Sequence, residues 1–171
     1  MKDLSKSELF RKLKYAFSNL IEKDEYIILN DAHEQCLSGR LAMYLREALI
    51  DYEKNYNIVI DVEYNRDHGS VKSSNPNDPD SGNIRPDILL HTRDSYDNDL
   101  IYCEIKKHDN VADLSKVSTQ VMNDRHYKFG IAITHITKEH VNFSLLEQEN
   151  LDFQKYKYDY RSNEITETTN E

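Results

Sequence analysis

The chain has 171 residues, 38 % of them hydrophobic and 31 % charged, with a formal net charge of −9. That length and composition predict a single soluble domain over residues 1–165, with its own core and a disordered tail over 166–171. They exclude a transmembrane span, which needs about eighteen consecutive apolar residues. The charge argues against a strong nonspecific polyanion binder, whose affinity comes from Lys and Arg against phosphates.

The chain opens on MKDLSKSELFRKLK, with no apolar stretch and no small-residue cleavage site, so no signal peptide is expected. Residues 5–22 read as a helix. Ser5 and Glu8 have capping-box spacing, and Leu9, Leu13, Phe17, Leu20 and Ile21 form an apolar stripe. A second helix is predicted from about Asp31 to about Tyr52, with Leu37, Leu41, Leu45, Ala48 and Leu49 as its stripe. YNIVIDVEY, residues 56–64, reads as a strand with Ile58, Ile60 and Val62 on one face. Residues 65–83 are polar, with two prolines and two glycines, and read as a long loop. Strands follow at 87–92 and 100–106, joined by the turn segment RDSYDND. A short helix is expected over 113–124 and a buried strand over 128–136. Residues 139–151 read as a further helix, and 153–161 as a strand with an aromatic face. From residue 31 the order is helix, strand, strand, strand, helix, strand. That predicts an α/β fold with a mixed central sheet flanked by helices.

Glu104 and Lys106 are two residues apart in a strand and therefore share a face, while Cys103 and Ile105 share the other. The turn before them is too short for a crossover helix, so the strand opened by Asp87 is expected to lie antiparallel to theirs, with Asp87 near Glu104. Two carboxylates held that close repel unless a cation lies between them. Oxygen ligands suit Mg²⁺, whose bound waters serve as nucleophiles, and Lys106 is placed to orient such a water or to meet developing charge. The alternative is a surface ion pair between Glu104 and Lys106. Glu34 falls on the apolar stripe of the second helix and also points inward. It reads two ways, as an acid of the same site or as the closing residue of a capping box that begins at Asp31.

These residues resemble the PD-(D/E)xK, or restriction endonuclease-like, nuclease superfamily. Pro86-Asp87 matches its PD, and Glu104-Ile105-Lys106, seventeen residues after Asp87, matches its E-x-K. Glu34 matches an acid that many members carry on the helix before the first strand, and the element order over 31–136 matches the αβββαβ core. The resemblance implies divalent-metal-dependent hydrolysis of phosphodiester bonds, most naturally in DNA, in repair, restriction or defence. It implies Asp87 and Glu104 as ligands of Mg²⁺ or Mn²⁺ with the Ile105 carbonyl, Glu34 as an auxiliary ligand, and Lys106 as the residue that positions the water. Gln120 stands where some members place a polar contact to phosphate or water; the alternative is a surface helix residue. Glu63 either joins the acidic cluster or is solvated.

The acidic balance is uneven. Residues 1–50 carry eight basic and eight acidic side chains, and residues 51–110 carry seven and thirteen. A bound cation would offset part of that excess. Cys36 and Cys103 have no metal-type spacing and fit a reducing, cytoplasmic setting, with Cys103 read as a buried, inert thiol. His33-Glu34 begins like a zinc-protease motif, but Leu37 stands where the second histidine is needed. Residues 77–82 lack the acids of a calcium loop. His91 shares a face with Asp87 and reads as a satisfied histidine. Tyr156, Tyr158 and Tyr160 read as sheet packing in preference to base stacking. Two functional classes remain open: a metal-dependent nuclease, and a non-catalytic module of the same fold that binds protein or nucleic acid. No membrane partner is expected, and a homodimer or larger complex stays open.

Overall fold

The computed structural model describes residues 4–30, 32–67, 70, 71, 85–93, 95, 98–106, 111–124 and 127–168. Its centre is a seven-stranded sheet. The strands are β1 (Val59–Val62), β4 (Ile88–His91), β5 (Ile101–Ile105), β6 (Phe129–Ile136), β7 (His140–Glu147), β8 (Asn150–Asp159) and β9 (Glu164–Glu167), in the spatial order β1-β4-β5-β6-β7-β8-β9. Two short strands, β2 (Arg66–Asp67) and β3 (Ser70–Val71), pair apart from it. Only β5 and β6 run parallel; every other neighbouring pair of the large sheet is antiparallel. A parallel pair needs a crossover, and here α5 (Val111–Thr119) supplies it. The predicted mixed α/β sheet is present, with antiparallel pairing dominant.

The two sheet faces bury different things. On one, α1 (Lys6–Lys23), α3 (Glu34–Ala48) and α4 (Ile50–Tyr56) cover Ile88, Leu90, Ile101, Cys103, Ile105, Ile131, Ile133, Phe143 and Tyr158. On the other, Val117 and Val121 sit over Leu89, Tyr102, Ala132 and Leu146. Close approach there depends on Gly130: a Cβ on it would lie 2.6 Å from Val121 Cγ2 and closer still to Val117 Cγ1. The expected N-terminal helix starts as its sequence suggests, with the Ser5 hydroxyl accepting from the Glu8 N–H at 3.3 Å. Tyr156 and Tyr158 pack in the main core, with Phe10 4.9 Å from Tyr156 and Phe17 5.6 Å from Tyr158, ring to ring. Cys103 is buried and Cys36 exposed. No helix among the described residues is long and apolar enough to cross a membrane.

Four expectations are corrected. The helix read from Asp31 to Tyr52 is two, α3 and α4, because Leu49 leaves helical geometry (φ −107°, ψ 14°) and joins them; a short α2 (Glu25–Leu29) precedes them. The helix expected over 139–151 is the strand β7 and its turn into β8. Its apolar residues Val141, Phe143 and Leu145 enter the main core with period two. The tail expected to be disordered contributes Thr166 and Glu167 to β9, and the Thr168 N–H bonds the Lys155 carbonyl at 2.8 Å; residues 169–171 lie outside the described residues. Within the segment read as one loop, β2 and β3 form a ribbon, while 72–84, with the stretch weighed as a calcium loop, lies outside the described residues.

Candidate functional site

The site lies on the face that α5 partly covers. Cys103 and Ile105 go into the main core, so Tyr102 and Glu104 point the other way, as alternation requires. Ile88 pairs with Cys103. One step beyond, Asp87 stands opposite Glu104 across the β4–β5 pair. Directly opposed residues of an antiparallel pair have Cβ atoms about 4.5–5.5 Å apart, so these two carboxylates are near neighbours. Both raise the pKa of the buried Cys103 thiol, after burial itself, which makes that thiol inert.

Each acid is anchored. Asp87 Oδ2 accepts from the Ile105 N–H at 2.7 Å. Glu104 is 3 % exposed and its Oε1 accepts from the Tyr102 hydroxyl at 2.6 Å. Burial first, and then the Glu104 carboxylate, push the Tyr102 hydroxyl far above its ordinary value, so it remains a donor at every working pH. Lys106 leaves β5 with its N–H on the Ile133 carbonyl at 2.8 Å, and its Nζ donates to Glu34 Oε2 at 2.8 Å. Both of those side chains are 31 % exposed.

Glu34 is the first residue of α3, and the N-cap is His33, whose ring accepts from the Gln35 N–H. The capping-box reading is therefore corrected. Asp31 lies outside the described residues, and with His33 as cap, Glu34 stands too early in the helix to close a box, which needs the third helical position. A carboxylate in the first turn also suits the helix dipole. The start of α3 is tied to the residue after β1 by Gln35, whose Nε2 donates to Glu63 Oε1 at 2.6 Å. Glu63 has a φ of 51°, an uncommon value for a residue with a Cβ, and its N–H bonds the Asp87 carbonyl at 3.4 Å. Glu63 thus braces the helix.

Gln120 is not a surface residue. It begins a turn of π-helix, Gln120–Asp124, that continues α5, and it is 1 % exposed. Neither its Oε1 nor its Nε2 has a hydrogen-bond partner among the described residues. An unpaired buried amide costs about 1–3 kcal/mol. Such a cost at the helix over the Glu104 face fits a residue that meets a ligand or a water there. Gln120→Met keeps the volume and removes the unpaired atoms. It is expected to raise stability by about 1 kcal/mol, read as a higher midpoint in denaturant with an unchanged slope. A lower midpoint would mean that the amide is satisfied in solution.

His91 has a different role. Its Nε2 lies 3.0 Å from Asp61 Oδ2, and Arg93 Nε donates to the same oxygen at 2.9 Å. Burial alone would raise the Asp61 pKa, but the bonds from Arg93 and His91 outweigh it and hold the carboxyl well below the usual range. Four residues of strand, about 13 Å, separate His91 from Asp87, so His91 is the satisfied histidine that was expected. Asp61 was not singled out in the sequence, although its place between Ile60 and Val62 puts it on the opposite face.

The arrangement is a row of charge, Asp87, Glu104, Lys106 and Glu34, across the end of two central strands and the start of a helix. Among the described residues no group of three or more His, Cys, Asp or Glu side chains is placed to hold a metal. The Asp87 and Glu104 carboxylates stand opposite each other across the β4–β5 pair, and the Ile105 carbonyl follows Glu104 in the chain. No family model, curated protein or solved structure matches this chain.

Proposed function

We propose that this chain is a divalent-metal-dependent nuclease that hydrolyses phosphodiester bonds, with DNA as its substrate in a repair, restriction or defence setting. The observation that carries the reading is the β4–β5 register, which one step past Ile88 and Cys103 brings Asp87 opposite Glu104, with Lys106 just beyond the end of β5. The connectivity supports it. Leaving aside α4 and the β2–β3 ribbon, the chain from α3 runs β1, β4, β5, α5, β6, with the first three of these strands antiparallel and the last returned parallel to β5. That order is compatible with the αβββαβ core of the PD-(D/E)xK superfamily and supports the reading; α1 and α2 precede it and the β7–β8–β9 meander follows it.

The donor set fits Mg²⁺ or Mn²⁺. Mg²⁺ is commonly held by one or two carboxylates, with water and substrate phosphate filling the rest of its shell. Asp87 and Glu104 would hold it with the Ile105 carbonyl; Glu34, engaged with Lys106, is an auxiliary at most in this arrangement. When bound, the ion supplies an acidified water and polarises the phosphoryl oxygens. The chain does the positioning. The Ile105 N–H fixes Asp87, and the Tyr102 hydroxyl fixes Glu104. Glu34 holds the Lys106 ammonium, which in this reading offsets the acids and meets charge that grows on phosphate oxygens.

Purified protein is expected to cleave at least one of single-stranded, duplex or branched DNA in Mg²⁺ or Mn²⁺, and to stop in EDTA. One observation favours a second reading, a non-catalytic module: the net charge of −9 gives little general attraction to polyanions. Binding without cleavage on every DNA and RNA substrate would favour it.

A further inference from the structure

The sheet face that bears Glu104 does not end at the site. Strand register carries it outward, from Glu104 to Ala132 of β6, Ser144 of β7 and Lys155 of β8. Asn142 and Lys157 form the next rung. Alternation places these side chains opposite Phe143, Tyr156 and Tyr158, which fill the main core. Val117 and Val121 cover the part of this face around Leu89, Tyr102, Gly130, Ala132 and Leu146. Beyond them lies a cleft of about 300 Å³ lined by Thr134, His140, Asn142, Ser144, Lys155 and Lys157.

The charges in this cleft are unusual for so acidic a chain. Lys6 and Lys14, from α1 on the other face, are each paired with a carboxylate, Glu147 and Glu164. Lys155 and Lys157 take part in no ion pair among the described residues. The nearby Asp159 is engaged by the Ser162 N–H and hydroxyl, at 2.9 and 3.0 Å. The His140 imidazole reports the local field: burial first, then Lys157 and His135, lower its pKa, against the opposing pull of Glu139 and Asp159. Unpaired ammoniums beside hydroxyl and amide side chains are the donor set that phosphate oxygens take.

We propose that this cleft is the track of the nucleic-acid backbone leaving the cleavage site, with Lys155 and Lys157 as its phosphate contacts. The inference rests on the nuclease reading for the position of the scissile phosphate. Strands lie about 4.8 Å apart, so β5 to β8 is about 14 Å, a short run of backbone past the patch that Val117 and Val121 cover. It also accounts for an acidic protein handling a polyanion: attraction is confined to one cleft.

The test is binding of a fluorescein-labelled oligonucleotide, single-stranded and duplex, to full-length Asp87→Asn protein, followed by anisotropy over a salt series. Each lost phosphate contact lowers the slope of log K against log salt by about 1. Lys155→Ala/Lys157→Ala is therefore expected to lower that slope by about 2 and to weaken binding, while Lys155→Arg/Lys157→Arg keeps it. Lys54→Ala, on α4 across the sheet, serves as the control and leaves the slope unchanged. Neither cleft lysine holds a structural ion pair among the described residues, so a thermal midpoint equal to the parent's shows that the variants are folded. An unchanged slope in the double alanine variant overturns the track. So does inorganic phosphate that competes as well as the oligonucleotide, or an absence of binding. Cleavage by the parent with a slope indifferent to both lysines would sink the track and leave the nuclease standing. Lysine-dependent binding without any cleavage would support the track and sink the nuclease.

Discussion

Lys106→Ala is expected to lower single-turnover cleavage by about 10²–10³, the usual cost of one electrostatic contact to the transition state. The loss should come from chemistry and not from unfolding. Lys106 and Glu34 are both about a third exposed, 31 % each, and exposed ion pairs contribute only about 0–1 kcal/mol to stability. A charge near the scissile phosphate is worth more, because its interaction strengthens as negative charge builds on the phosphoryl oxygens, and only such differential binding raises the rate. Glu34→Gln keeps the shape of its partner and removes the charge that holds the ammonium. It should reduce cleavage while changing stability by less than about 1 kcal/mol. Because the two side chains touch at 2.8 Å, their effects should not add, and the double variant should be little worse than Lys106→Ala alone. Single-turnover rates with Mn²⁺ measure all three. Parent-like cleavage by Lys106→Ala would remove the lysine from the chemistry.

The sequence was readable where side-chain direction follows from local periodicity. Strict alternation put Cys103 and Ile105 on one face and Glu104 on the other, and a short turn made the strand opened by Asp87 the antiparallel neighbour; the core and the β4–β5 register agree with both. Periodicity failed where a segment buries both faces. β7 carries Leu145 into the main core and Leu146 under α5, so adjacent apolar residues obscured its period of two and the segment read as a helix. That error hid the lysine cleft as well. Lys155 and Lys157 alternate with the tyrosines of β8, but without β7 beside them they had no sheet face to belong to. Gln120 was unreadable for another reason. Its burial depends on how closely α5 can settle, which Gly130 decides from a different element. Of the two roles read for Glu34, the capping box drops out because the helix starts at His33 and not at Asp31, a shift of two residues that periodicity cannot resolve.

Asp87→Asn is expected to abolish stabilisation by Mg²⁺ or Mn²⁺ and, with it, cleavage. A ligand that binds only the folded state at about a hundred times its Kd adds about 2.7 kcal/mol. For a chain of this size that is a rise of roughly 5–10 °C in Tm. Asparagine retains an oxygen that accepts from the Ile105 N–H, the bond that Asp87 Oδ2 makes at 2.7 Å. It also relieves repulsion with Glu104 in the metal-free protein. The metal-free variant should therefore melt at the parent's temperature or slightly above it, and only the metal response should vanish. That pairing separates a lost ligand from a damaged fold, which would lower the baseline first. Thermal melts of parent and variant, in EDTA and in a series of Mn²⁺ concentrations, give both readings from one experiment. A variant that gains as much from Mn²⁺ as the parent would place the ion somewhere other than between Asp87 and Glu104, and a parent that gains nothing would remove the metal from the mechanism.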